Sequence, residues 1–164
     1  MQSIRAFLQS LFRNHLAGAV LGLFVVLAAS LSSAHAADLP DDDDQDILVR
    51  TTLMRFNDAN VTGNYSVLIA RGSSQFQKEA TQEKLATAFE GFRKKNWFID
   101  NIATADYESR EKAKIGDNQV LVLAGVLGDD ELTVKYNLSF TWNSDAWKLD
   151  GINVDVHRKA ADKK

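Results

Sequence analysis

Residues 131–142 carry the most regular pattern in the chain. Leu132, Val134, Tyr136, Leu138, Phe140 and Trp142 alternate with Thr133, Lys135, Asn137, Ser139 and Thr141. A period of two places the apolar set on one strand face and the polar set on the other, as in a half-buried antiparallel sheet. Residues 119–127 read differently. Leu121, Leu123 and Leu127 have one parity, while Val120, Val122, Ala124 and Val126 have the other, which predicts a strand apolar on both faces. The last segment, 146–156, contains a slip. Trp147 and Leu149 share one parity, Ile152, Val154 and Val156 the other, and Gly151 sits at the switch. A bulge at that point keeps both sets on one face. Gly128-Asp129-Asp130 and Asn143-Ser144-Asp145 mark the turns between these strands.

Upstream the period is helical. Val49, Leu53 and Phe56 fall at i, i+4 and i+7, which predicts a helix over 47–60 ended by Thr62-Gly63-Asn64. A short second helix is expected over 65–70, stopped by Gly72. A third runs from an N-cap at Thr81 to about Lys95, with Leu85, Ala88, Phe89 and Phe92 as its apolar stripe. Residues 102–115 admit two readings. Glu108, Arg110, Lys112 and Lys114 decorate either a helix or a charged edge strand. The strand is preferred, because Gly116-Asp117-Asn118 then closes a hairpin.

The N-terminus has a different character. Arg5 and Arg13 flank a short leading region, an apolar run extends from Leu16 to Leu31, and Ala34-His35-Ala36 places small residues at both peptidase recognition positions. This pattern predicts an export signal cleaved after Ala36, a periplasmic or secreted protein, and no membrane attachment after cleavage. The competing reading is a retained anchor. The chain then divides into a signal at 1–36, an acidic linker at 37–45, a single domain at 46–157 and a charged tail at 158–164.

Cleavage leaves 128 of the 164 residues, enough for one core. Loss of Arg5 and Arg13 takes the formal charge from −3 to −5. An acidic domain is poorly suited to nucleic acid, where affinity comes mainly from neutralising phosphates. There is no cysteine, so packing alone holds the fold, and thiolate chemistry is excluded. Of the three histidines only His157 lies beyond the signal, which argues against a histidine metal site and against a histidine-centred triad. Asp41 to Asp44 lack the alternating ligands and turn glycine of a calcium loop. Neither a metal nor a cofactor is expected.

Phe56-Asn57-Asp58-Ala59-Asn60 with Gly63-Asn64-Tyr65, the helix through Phe89 and Phe92, and the ending Trp147-Lys148-Leu149-Asp150-Gly151-Ile152-Asn153-Val154 together resemble the nuclear transport factor 2-like superfamily, which includes ketosteroid isomerases and SnoaL-like cyclases. The resemblance implies an α+β fold, with three N-terminal helices packed on a curved antiparallel sheet of about four strands that forms a cone. It also implies an apolar pocket lined by Phe56, Phe89, Phe92, Tyr136, Leu138 and Phe140. The plainer reading of these side chains is a filled core.

In ketosteroid isomerase-like members the base is an acid between the second and third helices. The matching stretch here, 71–77, contains none before Glu79, and residues 119–127 and 132–142 contain no carboxylate. No catalytic residue is therefore assigned. Arg55 and Lys135 are candidates to place positive charge at the pocket rim and favour an anion, against a plainer reading as solvated side chains. The expected function is non-catalytic binding of a small apolar ligand or a protein partner. The alternatives are a cofactor-free isomerase or dehydratase using Tyr136, and an envelope assembly subunit held by an uncleaved anchor. The two-faced strand at 119–127 further predicts a homodimer through the outer sheet face.

Overall fold

The computed structural model describes residues 38–158 apart from 117, 129, 130 and 144, so the expected signal, its cleavage site and most of the charged tail lie outside the described residues. Helices come first and strands follow, giving an α+β architecture.

Helix α1 spans Asp42–Thr62. It opens earlier than the apolar period suggests, because Asp41 caps it by accepting from the Asp44 amide at 2.8 Å. Asp42, Asp43 and Asp44 occupy its first turn, where the helix dipole favours negative charge. Residues 42–45, expected as linker, are therefore helical. Gly63 ends the helix in the left-handed region at φ 71°, a conformation costly for residues with a Cβ.

The next helices are short: α2 Ser66–Ala70, α3 Ser74–Glu79, α4 Gln82–Ala88 and α5 Glu90–Lys94. Ser73 caps α3 by accepting from the Phe76 amide. Thr81 caps α4 by accepting from the Lys84 amide, as expected. The long third helix is not continuous. Phe89, at φ −104° and ψ 16°, separates α4 from α5, and its ring and that of Phe92 in α5 both meet Phe56 of α1.

A 3-10 turn at Asp100–Ala103 leads to β1 Asp106–Arg110, β2 Lys114–Ile115, β3 Val120–Gly128, β4 Leu132–Asn143 and β5 Ala146–Arg158. The preferred strand reading for 102–115 thus holds at Asp106–Arg110 and Lys114–Ile115, about half of that segment, while its first residues belong to the 3-10 turn. The sheet order is β1-β3-β4-β5, all antiparallel, and β2 also pairs with β3. There are five strands rather than about four. The sheet is not strongly curled, and no cone is seen. The parity slip in β5 is a bulge. Ser139 pairs with Gly151 and Phe140 with Leu149, leaving Asp150 as the extra residue. Leu149, Val154 and Val156 are all buried as a result.

The core lies between the helices and one sheet face. Val49, Leu53, Phe56 and Ala59 from α1 join Leu68 and Phe76, and meet Leu121, Leu127, Val134, Leu138 and Phe140 of the sheet. Asn57 and Asn60, on the same helix, are buried because their amides have work to do. Asn57 accepts from the Ile99 amide at 2.8 Å and donates to Asp100 at 2.7 Å, which ties the 3-10 turn to α1. Asn60 accepts from the Tyr65 hydroxyl at 2.6 Å. A second tie joins helices to sheet: Ser73 donates its amide to the Leu149 carbonyl at 2.7 Å and its hydroxyl to Asp150 at 2.5 Å. The bulge at Asp150 is thus where α3 is anchored to β5.

Candidate functional site

The six expected pocket residues all lie in or against the hydrophobic core between helices and sheet. Phe56, Phe89 and Phe92 form one group, with Phe56 edge-on to Phe89 at 4.8 Å and to Phe92 at 5.2 Å between ring centroids. Leu138 and Phe140 lie on the buried face of β4, at 0% and 2% exposure. Tyr136 shares their hydrophobic core and also borders a polar cluster near the β1 edge.

In that cluster the Tyr107 hydroxyl donates to Asp46 at 2.7 Å, and Asp46 also accepts from Arg50 Nε at 2.9 Å. Arg50 donates further to the carbonyls of Ile102 and Ala105. The Tyr107 ring lies between two guanidinium groups, Arg50 at 5.2 Å and Arg110 at 4.6 Å from its centroid. Tyr136, 2% exposed, stands beside Tyr107. Burial raises the Tyr136 and Tyr107 pKa values, so both phenols stay neutral at physiological pH. Burial also acts to raise the Asp46 pKa, but the hydrogen bonds from Tyr107 and Arg50 outweigh it and hold the carboxyl below its ordinary value.

This is a half-buried polar brace tying the start of α1 to β1. Its sign on stability follows from the lowered acid. The stabilisation is complete above the ordinary carboxyl value of 3.8 and is lost as pH falls through the lower folded value. Asp46→Asn is expected to cost about 1 kcal/mol at neutral pH, allowing for partial solvent screening of the pair. Urea unfolding at pH 7 and again near pH 2.5 checks this. A difference between wild type and variant that persists undiminished in acid would reject the ionised role of Asp46.

The acids Asp100, Asp106 and Asp150 have structural partners or open positions. Asp100 accepts from Asn57, and Asp150 from Ser73. Asp106 is exposed at the start of β1. Among the described residues no group of His, Cys, Asp or Glu is arranged to hold a metal ion.

The prominent concavity lies elsewhere. A groove of about 690 Å3 runs between residues 38–41, the first turns of α1 and the tip of the β4–β5 hairpin. Its apolar wall is Leu39, Ile47, Leu48, Trp142 and Trp147. The two indoles meet edge to face at 5.4 Å. Leu39, Ile47 and Trp142 are 47%, 57% and 38% exposed, an unusual concentration of large apolar side chains facing solvent. Asp38, Asp41, Asp44 and Asp145 mark its outer rim.

A smaller crevice of about 40 Å3 adjoins the groove through Leu48 and Trp147, which line both. Its other walls include Arg55 from α1, Arg71 from the end of α2, and Phe140. Arg55 therefore meets Arg71, whereas Lys135 lies on the opposite sheet face, in register with Asp155. Sequence reasoning put Trp142 on the buried face by parity. It shares that parity, but it stands at the hairpin tip beyond the cover of α1. The pairing of Trp142 with Trp147 was implicit in the Asn143-Ser144-Asp145 turn, which places the two opposite each other. The approach of Arg71 to Arg55 had no such local signal.

No family model, curated protein or solved structure matches the chain.

Proposed function

We propose that this is an exported, non-catalytic binding domain that holds an elongated apolar ligand in the groove beside α1, on a scaffold of the nuclear transport factor 2-like type. The carrying observation is the edge-to-face pair of Trp142 and Trp147 in an open groove with Leu39 and Ile47. Large exposed apolar side chains in one concavity are the usual mark of a binding surface. The helix-facing aromatics support the same choice by being packed on one another, with Phe56 only 1% exposed.

The test uses the neutral fluorescent probe N-phenyl-1-naphthylamine. Trp142→Ala removes a solvent-facing indole and is expected to weaken the probe by about tenfold, the effect of losing roughly 1.4 kcal/mol of apolar contact. The fold should be unaffected, since Trp142 stands at the hairpin tip. Unchanged probe affinity in Trp142→Ala would move the site away from this groove.

A second reading concerns self-association. Val120, Val122 and Val126 form a half-exposed row on the outer face of β3, flanked by Thr141, Ser139 and Lys135 on β4. A second copy seated on that row would complete its burial. Sedimentation at micromolar concentration, compared with Val122→Lys, distinguishes a dimer from a monomer.

A further inference from the structure

The crevice beside the groove is lined by two guanidinium groups, those of Arg55 and Arg71, with no acid beside them among its lining residues. Among the described residues no hydrogen bond or ion pair engages either side-chain guanidinium, although acids outnumber basic residues in the chain. Like charges placed together at a partly buried position cost free energy unless an anion joins them.

From this geometry we infer that the Arg55–Arg71 crevice binds the carboxylate of an amphiphilic ligand whose apolar body lies over Leu48 and Trp147 in the adjoining groove. The second half rests on the function proposed above. The first half stands on the arginine pair alone.

Three observations favour a carboxylate. The guanidinium fork matches a planar carboxylate and binds it in two-point fashion. The crevice, at about 40 Å3, suits a small head better than a tetrahedral phosphate ester. Burial and the nearby Arg71 charge lower the pKa of Arg55, as expected for a cation missing its counter-ion.

The acidic rim does not oppose this placement. Asp44 and Arg55 lie on the same helix, separated along its axis by about 16 Å at 1.5 Å per residue. That exceeds the Debye length of about 8 Å at physiological ionic strength, so rim and crevice act on a ligand almost independently. Residues Leu48 and Trp147 bridge the two regions, giving the ligand an apolar path away from its head.

The shared chemistry, a carboxylate on an apolar chain, has two sources: a free fatty acid or the C-terminus of an apolar peptide. Full-length protein is titrated by calorimetry with decanoate, decanol, decyl phosphate and acetate, and with N-acetyl-leucyl-leucine against its amide. Decanoate is expected to bind about tenfold or more tightly than decanol, the usual gain from a charge-assisted hydrogen-bonded contact. The advantage should fall with salt, vanish in Arg55→Gln and Arg71→Gln, and return in part in Arg71→Lys. Arg71 is exposed, so its replacement should leave the fold intact. The higher-affinity acid of the two sources identifies the ligand class.

Equal binding of decanoate and decanol, or an undiminished preference in both arginine variants, would overturn the carboxylate site. The groove would survive that result if Trp142→Ala weakened both ligands. Preference for decyl phosphate would also overturn it. Acetate binding that requires Arg71, combined with decanoate binding indifferent to Trp142→Ala, would uphold the crevice and sink the groove.

Discussion

Phe56→Ala is expected to destabilise the protein by about 4 kcal/mol, within the usual range for truncating a buried phenylalanine. Phe56 is 1% exposed and stands at the meeting point of three helices. Its ring is edge-on to Phe89, at 81° between planes, and to Phe92, at 88°. Phe92 in turn meets Trp97, and Phe89 stacks on Tyr65. Helices α4 and α5 are too short to persist alone, because the nucleation cost is spread over so few residues. Their order therefore depends on packing against α1. Removing Phe56 leaves a cavity at the base of that packing and forfeits edge-to-face contacts of about 1 kcal/mol each.

Such a loss is a large part of the 5–15 kcal/mol typical of a whole domain. Urea unfolding followed by circular dichroism measures it. Phe92→Ala serves as comparison, since Phe92 is only partly buried and should cost about half as much. A loss under 1 kcal/mol in Phe56→Ala would mean that α4 and α5 are held by something other than this ring cluster.

Gly125→Val should be nearly as damaging, through excess volume. Gly125 lies on β3 directly opposite Tyr136. A Cβ built there comes within 2.5 Å of the Ser109 carbonyl oxygen and 2.8 Å of the Tyr136 hydroxyl. The carbonyl belongs to the β1 backbone and cannot rotate aside, and the Tyr136 ring, 2% exposed, is closely surrounded. Overpacking costs about 1–3 kcal/mol, and a clash with backbone puts this site at the upper end, so about 3 kcal/mol is expected. Gly91→Ala is the control. Gly91 is exposed in α5 with open space at its Cβ position, and alanine there should stabilise by about 0.5–1 kcal/mol. Thermal melts of the two variants should therefore move in opposite directions. A neutral Gly125→Val would show that β1 yields easily at Ser109.

Gly151 illustrates a milder case. Its Cβ would meet only the Ser139 side-chain oxygen, at 2.6 Å, and that hydroxyl can turn away. The bulge itself is held by Asp150 and Ser73 rather than by a need for glycine alone.

The elements legible in the sequence were those whose partners lie within a few residues. Alternation along 132–142 gave the face of β4 because side-chain direction in a strand follows parity. The slip at Gly151 gave the bulge for the same reason. Thr81 was recognisable as a cap because it bonds to a residue three positions away. The tertiary structure alone decided the break at Phe89, where contacts with Phe56 and Tyr65 outweigh the continuity of a local stripe. It also decided that Trp142 faces solvent.

The candidate site is of this second kind. Asp46 and Tyr107 are 61 residues apart in the chain, and Arg55 and Arg71 meet only because α2 folds back along α1. Periodicity records how each segment divides its own surface between core and water. It carries no information on which distant charged side chains the packing will bring to the same crevice, because that depends on the angles and offsets at which whole elements meet.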